Sequence, residues 1–142
     1  MASSRVDHAR DSDRRLLVLD TCVLVDNLRG HEPARVWLAS MASRYDVSLS
    51  YSVITTAELL AGAKSDPSVE AVRRLLSMIR AIPVDERVAE RAGLYLRKWR
   101  QSHGIGMPDA LIAATAAEAK ATLVTRDGAH FPMGDVTVLV PY

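Results

Sequence analysis

Four short runs constrain this chain more than anything else in it: LLVL (16–19), DVSLSY (46–51), ATLVT (121–125) and VTVLV (136–140). A brief continuous apolar run such as LLVL suits a strand covered on both faces, as in a parallel sheet. AIPV (81–84) is a shorter strand candidate. Between the strands, helix is expected for VLVDNL up to Arg29-Gly30, for 33–44, and for SVITTAELLAG closed by Gly62. It is expected again for 67–79, 85–101 and 108–120. The 85–101 stretch is the clearest, with Val88, Ala92, Tyr95, Leu96 and Trp99 on one stripe. Strands alternating with helices indicate an α/β fold with a mainly parallel central sheet, and right-handed crossovers leave helices on both faces.

The totals narrow the function classes. A chain of 142 residues suits one domain. Its net charge of +1 means that any polyanion-binding face is local rather than global. The single cysteine, Cys22, rules out an internal disulfide and any CxxC motif, and is expected as a small buried hydrophobe. No apolar run is long enough to span a bilayer. Residues 1–14 lack a signal-peptide core and read as a mobile polar tail before a single unit, 15–142, which points to the cytoplasm.

Four acids fall at telling places. Asp20 directly follows LLVL, and Asp127 follows TLVT by one residue. Glu58 lies in the helix after DVSLSY, and Asp109 begins the helix after HGIGMP. Ligand chemistry in an open parallel sheet collects beyond the carboxyl ends of its strands, so acids from four segments can converge there. Carboxylates brought together repel and raise one another's pKa values unless a cation neutralises them. An all-oxygen set suits Mg²⁺ or Mn²⁺ better than zinc, and such a cation activates water and shields a phosphodiester. Taken singly, each acid has an ordinary explanation. Asp20 serves as an N-cap, Glu58 as a solvated helix residue, Asp109 as a first-turn dipole partner and Asp127 as a turn residue.

LVLDTCVLVDNL, SYSVITTAELLAG, MPDALIAATAAEAKATLVTRDGAHF and the closing VTVLVP together resemble the PIN-domain ribonucleases, and among them the VapC-type toxins of toxin–antitoxin pairs. The resemblance covers nearly all of the chain from Leu16 onward. It implies a PIN-like three-layer sandwich and Mg²⁺- or Mn²⁺-dependent endonucleolytic cleavage of RNA by metal-activated water. The family's four acids fall in order on Asp20, Glu58, Asp109 and Asp127, with Thr21 and Thr125 at the hydroxyl positions beside them. Asp20 and Asp109 are then the anchors of the metal, and Glu58 completes the ligand set or orients the attacking water. Asp127 supports a second metal or a bound water. A VapB-type antitoxin that covers the acidic site and a homodimeric toxin are implied as well.

Other features carry less. Arg126 is placed to touch RNA near the site or to pair with an acid. RKWR (97–100) reads as a helix end with Trp99 in the apolar stripe, and Arg73-Arg74 as a solvated face. Thr55 is expected on a helix surface, and Asp26 takes no part in the site. The histidines show no HxxxH or HExxH spacing, so none is assigned to a metal, and His130 is expected on a loop surface. GIGMPD lacks the third glycine of a dinucleotide loop, and LDTCV has Cys22 where an aspartyl-phosphate phosphatase has its second acid. The competing readings are a catalytically silent RNA- or protein-binding module and, less well supported, a small-substrate phosphohydrolase.

Overall fold

The computed structural model describes residues 14–142. The segment 1–14 expected as a tail therefore lies, apart from Arg14, outside the described residues. In chain order the elements are β1 (Arg15–Leu19), α1 (Thr21–Leu28), α2 (Glu32–Ala42), β2 (Val47–Ser52), α3 (Val53–Gly62) and α4 (Asp66–Leu76). There follow β3 (Arg80–Ile82), α5 (Glu86–His103), α6 (Met107–Glu118), β4 (Thr122–Val124), a 3₁₀ turn (Gly128–His130) and β5 (Thr137–Leu139). Each expected strand and helix is present, with differences at the ends. Gly62 is the last residue of α3 rather than its cap, because Ala63 leaves the helix in an extended conformation. Helix α5 runs on to His103 and stops where Gly104 turns left-handed at φ 64°.

The strands form one sheet in the order β3-β2-β1-β4-β5, and every neighbouring pair is parallel. Side chains alternate across it. Leu17, Leu19, Tyr51 and Val124 pack with α1 to α4 on one face, while Val18 and Leu123 pack with α5 and α6 on the other. The chain thus winds outward from β1 through β2 to β3 under one helix layer, then crosses under the other to β4. The strand order reverses between β1 and β4, which is where a parallel sheet opens a crevice at its carboxyl edge.

Two departures from simple patterning set the spacing of the layers. The alternation in DVSLSY does not mark a wet face, because Ser50 is fully buried, as is Ser52 just after it, and Ser48 is half-buried. Ser50 satisfies its hydroxyl on the carbonyl of Leu17 in the neighbouring strand at 2.6 Å. Helix α6 is built largely of alanine, with Ala110, Ala113, Ala114 and Ala116 all fully buried. Small side chains let this helix lie close to the sheet, and its run into β4 puts its first turn at the carboxyl edge. Among the described residues, no helix is long and apolar enough to cross a membrane. Replacing Ala113 with leucine should overpack this contact and lower stability by about 1–3 kcal/mol, whereas Leu94→Ala on the exposed face of α5 should stay within about 0.5 kcal/mol. Urea unfolding of both variants checks the contrast.

Candidate active site

Asp20 sits where β1 ends and α1 begins. Its backbone N–H continues the β1–β4 ladder by donating to the Val124 carbonyl at 2.8 Å. Its side chain is buried yet well supplied with donors. Oδ1 accepts from the Thr21 N–H at 2.8 Å, and Oδ2 accepts from the Thr125 hydroxyl at 2.8 Å and the Cys22 thiol at 3.5 Å. The N-cap expectation for Asp20 is thus met in part, since the carboxylate does accept from the helix start. Burial pushes the Asp20 carboxyl above its ordinary range, and the charge of Asp109 pushes the same way. The bonds from Thr125, Cys22 and the Thr21 N–H oppose that shift without cancelling it. Asp109, in the first turn of α6, therefore stands close enough to act electrostatically on Asp20.

Glu58 joins this group through a hydroxyl chain. Thr21 Oγ1 donates to Glu58 Oε1 at 2.7 Å and lies 2.9 Å from Thr55 Oγ1. A hydroxyl has one proton to give, so Thr55 donates to Thr21, which donates to Glu58. Asp127 is exposed; its backbone N–H donates to Thr125 Oγ1 at 3.2 Å, and its side chain caps nothing in the following turn. Thr125 thus connects Asp127 to Asp20, and Thr21 connects Glu58 to Asp20. Arg126 is half-exposed and pairs with the buried Asp26 at 3.0 Å, on the same Oδ2 that accepts from Tyr142 at 2.8 Å.

Three residues sit differently from expectation. Thr55 is fully buried instead of lying on the helix surface, because it precedes Glu58 by one turn and shares its inward face. Cys22 packs against the apolar core as expected but is only partly buried, and its thiol also contacts Asp20 and Thr125. His130 does not simply line a loop: its Nε2 lies 2.9 Å from Asp109 Oδ2. The sequence signal for Thr55 was its i−3 spacing from Glu58. Nothing in DGAHF alone ties His130 to Asp109, twenty-one residues earlier in the chain.

Among the described residues, no three His, Cys, Asp or Glu side chains are gathered into a ready metal cage. The donor set still fits a hard divalent cation. Mg²⁺ keeps much of its water and is commonly held by one or two carboxylates plus substrate phosphate oxygens. Asp20 and Asp109, near enough for one charge to act on the other, are two carboxylates that could serve in this way.

Residues 17–132 match the PIN domain family. The chain belongs to the PIN-domain family. Ribonuclease VapC10 of Mycobacterium tuberculosis is 44% identical over 119 residues, covering 83% of this PIN chain and 87% of that protein. A toxin-antitoxin complex from Klebsiella pneumoniae superposes with a TM-score of 0.68 at 28% identity, over 89% of this chain and 98% of the other. FitAcB from Neisseria gonorrhoeae does so with a TM-score of 0.67 at 32% identity, over 88% and 97%. The VapC-type resemblance and the three-layer PIN fold read from the sequence are both borne out by these relatives.

The raised Asp20 pKa sets a pH dependence. The folded protein holds the Asp20 proton to higher pH than the unfolded chain, whose value is near 3.8. The group therefore stabilises the fold fully only below that value, and the contribution is lost as pH rises through the folded pKa. In chelator, Asp20→Asn should melt progressively higher than wild type as pH rises, by roughly 2–6 °C at neutral pH. Thermal unfolding of the two proteins across the acid-to-neutral range measures this.

Proposed function

We propose that this PIN-domain chain is the toxin of a toxin–antitoxin pair, an endoribonuclease that hydrolyses RNA phosphodiesters with Mg²⁺ or Mn²⁺ in the cytoplasm. The observation that carries the reading is the buried Asp20 carboxylate, set beside Asp109 at the point where the strand order reverses. The names of the relatives, a ribonuclease and toxin–antitoxin complexes, support it.

Asp20 and Asp109 hold the cation. When bound, it supplies a water of lowered pKa and neutralises phosphate charge. Thr125 and the Thr21 N–H lock the Asp20 carboxylate, so the ligand geometry is set before substrate arrives. Glu58, fixed at Oε1 by Thr21, keeps Oε2 to orient the attacking water and accept its proton. Asp127 holds a further water or a second cation, and Arg126 meets an RNA phosphate near the site. The partner is a VapB-type antitoxin. A groove of about 400 Å³ that starts at Glu58 and is floored by Val25, Leu28, Leu59 and Val72 offers it an apolar seat. Two toxin copies form a homodimer, for which the exposed Val36 beside Trp37 on α2 offers a contact.

Purified protein should cut RNA with Mg²⁺ or Mn²⁺ and stop in chelator. Asp20→Asn and Asp109→Asn should abolish cutting in folded protein, and Thr125→Ala should lower it about 10–100-fold. Cutting that survives both acid substitutions and chelator sinks the reading. The second reading is a silent module that binds RNA or a protein partner, and the intact set Asp20, Glu58, Asp109 and Asp127 argues against it. Calorimetric titration with Mn²⁺ separates the two, because a silent module shows no binding that depends on Asp20 and Asp109.

A further inference from the structure

We infer that His130 is a positioning residue of this site, which fixes the Asp109 carboxylate for cation binding by donating its Nε2–H to Oδ2. The inference rests on the nuclease reading. Asp20 has three donors to orient it and Glu58 has the Thr21 hydroxyl, whereas Asp109 stands half-buried in the first turn of α6 and meets the His130 ring at 2.9 Å. An ionised carboxylate only accepts, so the shared proton belongs to Nε2. A carboxylate that ligates a metal is commonly held by such an outer hydrogen bond.

The ring is itself anchored. His130 ends the 3₁₀ turn Gly128–His130, and its N–H bonds back to the Asp127 carbonyl at 3.2 Å. The next residue, Phe131, is buried in the core and meets the His130 ring edge-on, with centroids 5.5 Å apart at 86°. At the start of the turn, Gly128 lies against β5 and the residue after it: a Cβ there would stand 3.5 Å from Val138 and 3.4 Å from Val140. One short segment between β4 and β5 therefore carries Asp127 and, three residues later, clamps Asp109 from a different helix. The third acid is held to the segment of the fourth through this ring.

The test is Mn²⁺ titration of the full chain by calorimetry, with RNA-cleavage kinetics alongside. His130→Ala should weaken Mn²⁺ binding about 10–100-fold. His130→Gln, whose amide nitrogen reaches the place of Nε2, should restore binding to within a few-fold. His130→Asn, whose amide nitrogen stands nearer Nδ1, should not. In cleavage, His130→Ala should lower kcat and leave KM for RNA unchanged at saturating Mn²⁺, because the ring acts on Asp109 and not on the substrate. Wild-type Mn²⁺ affinity in His130→Ala overturns the inference. So does a loss that Gln fails to restore, which marks the packing on Phe131 as the ring's role. Asp20→Asn is the control: if wild-type Mn²⁺ binding is indifferent to it, the metal reading itself falls, and this inference falls with it.

Discussion

A carboxylate buried at the end of an apolar strand is the constraint around which this fold is arranged. Asp20 is only 7% exposed, and its charge stays there because its neighbours supply hydrogen bonds in place of water. The Thr21 N–H comes from the start of α1, the Thr125 hydroxyl from the end of β4, and the Cys22 thiol from the first turn of α1. Two of these donors are local and one comes from a segment more than a hundred residues away. That distant donor arrives only because β1 and β4 are neighbours in the sheet. The Asp20 N–H bond to Val124 and the Thr125 N–H bond to Leu139 carry the ladders past the strand ends and fix both residues.

The same edge collects the other acids through short polar links and not through direct contact. Thr55, Thr21 and Glu58 form one line of hydrogen bonds, and hydrogen bonds in series polarise one another where water is scarce. Thr125 gives its proton to Asp20 and accepts one from the Asp127 N–H, so a single hydroxyl orders two acidic segments. Among the described residues, no buried side-chain nitrogen or oxygen lacks a partner. Around the site, Asp26 binds Arg126 and Tyr142 together, tying α1 to the loop after β4 and to the last residue of the chain. Hydrogen bonds of this kind set the orientation of the carboxylate oxygens during folding, before anything binds to them.

Much of the fold was legible because its signals are local. LLVL, ATLVT and VTVLV announce buried strands by composition, and the stripe from Val88 to Trp99 announces α5 by period. Helix ends were less legible. Gly62 looked like a cap and is the last helical residue, since the turn into Ala63 is set by how α3 meets α4. The alternation of DVSLSY marks a strand, but it does not tell that Ser50 is fully buried while Ser48 is only half-buried. Polarity patterns record which residues differ, and tertiary packing decides whether the polar ones meet water or a partner.

For the site, the order of Asp20, Glu58, Asp109 and Asp127 and their places relative to strands and helices are properties of the sequence, because a strand end or a helix start is a local event. Their company is not. Thr55 reads as a surface threonine, Cys22 as a hydrophobe with no polar partner and His130 as a loop residue until the sheet order is known. The order β3-β2-β1-β4-β5 puts Thr125 beside Asp20, and the close approach of α6 puts Asp109 within reach of His130. Hydrogen bonds act over about 3 Å, a scale at which sequence separation carries no information. Which acids this chain carries, and at which element ends, its sequence determined; which side chains hold them was decided only when parallel strands from opposite ends of the chain were laid side by side.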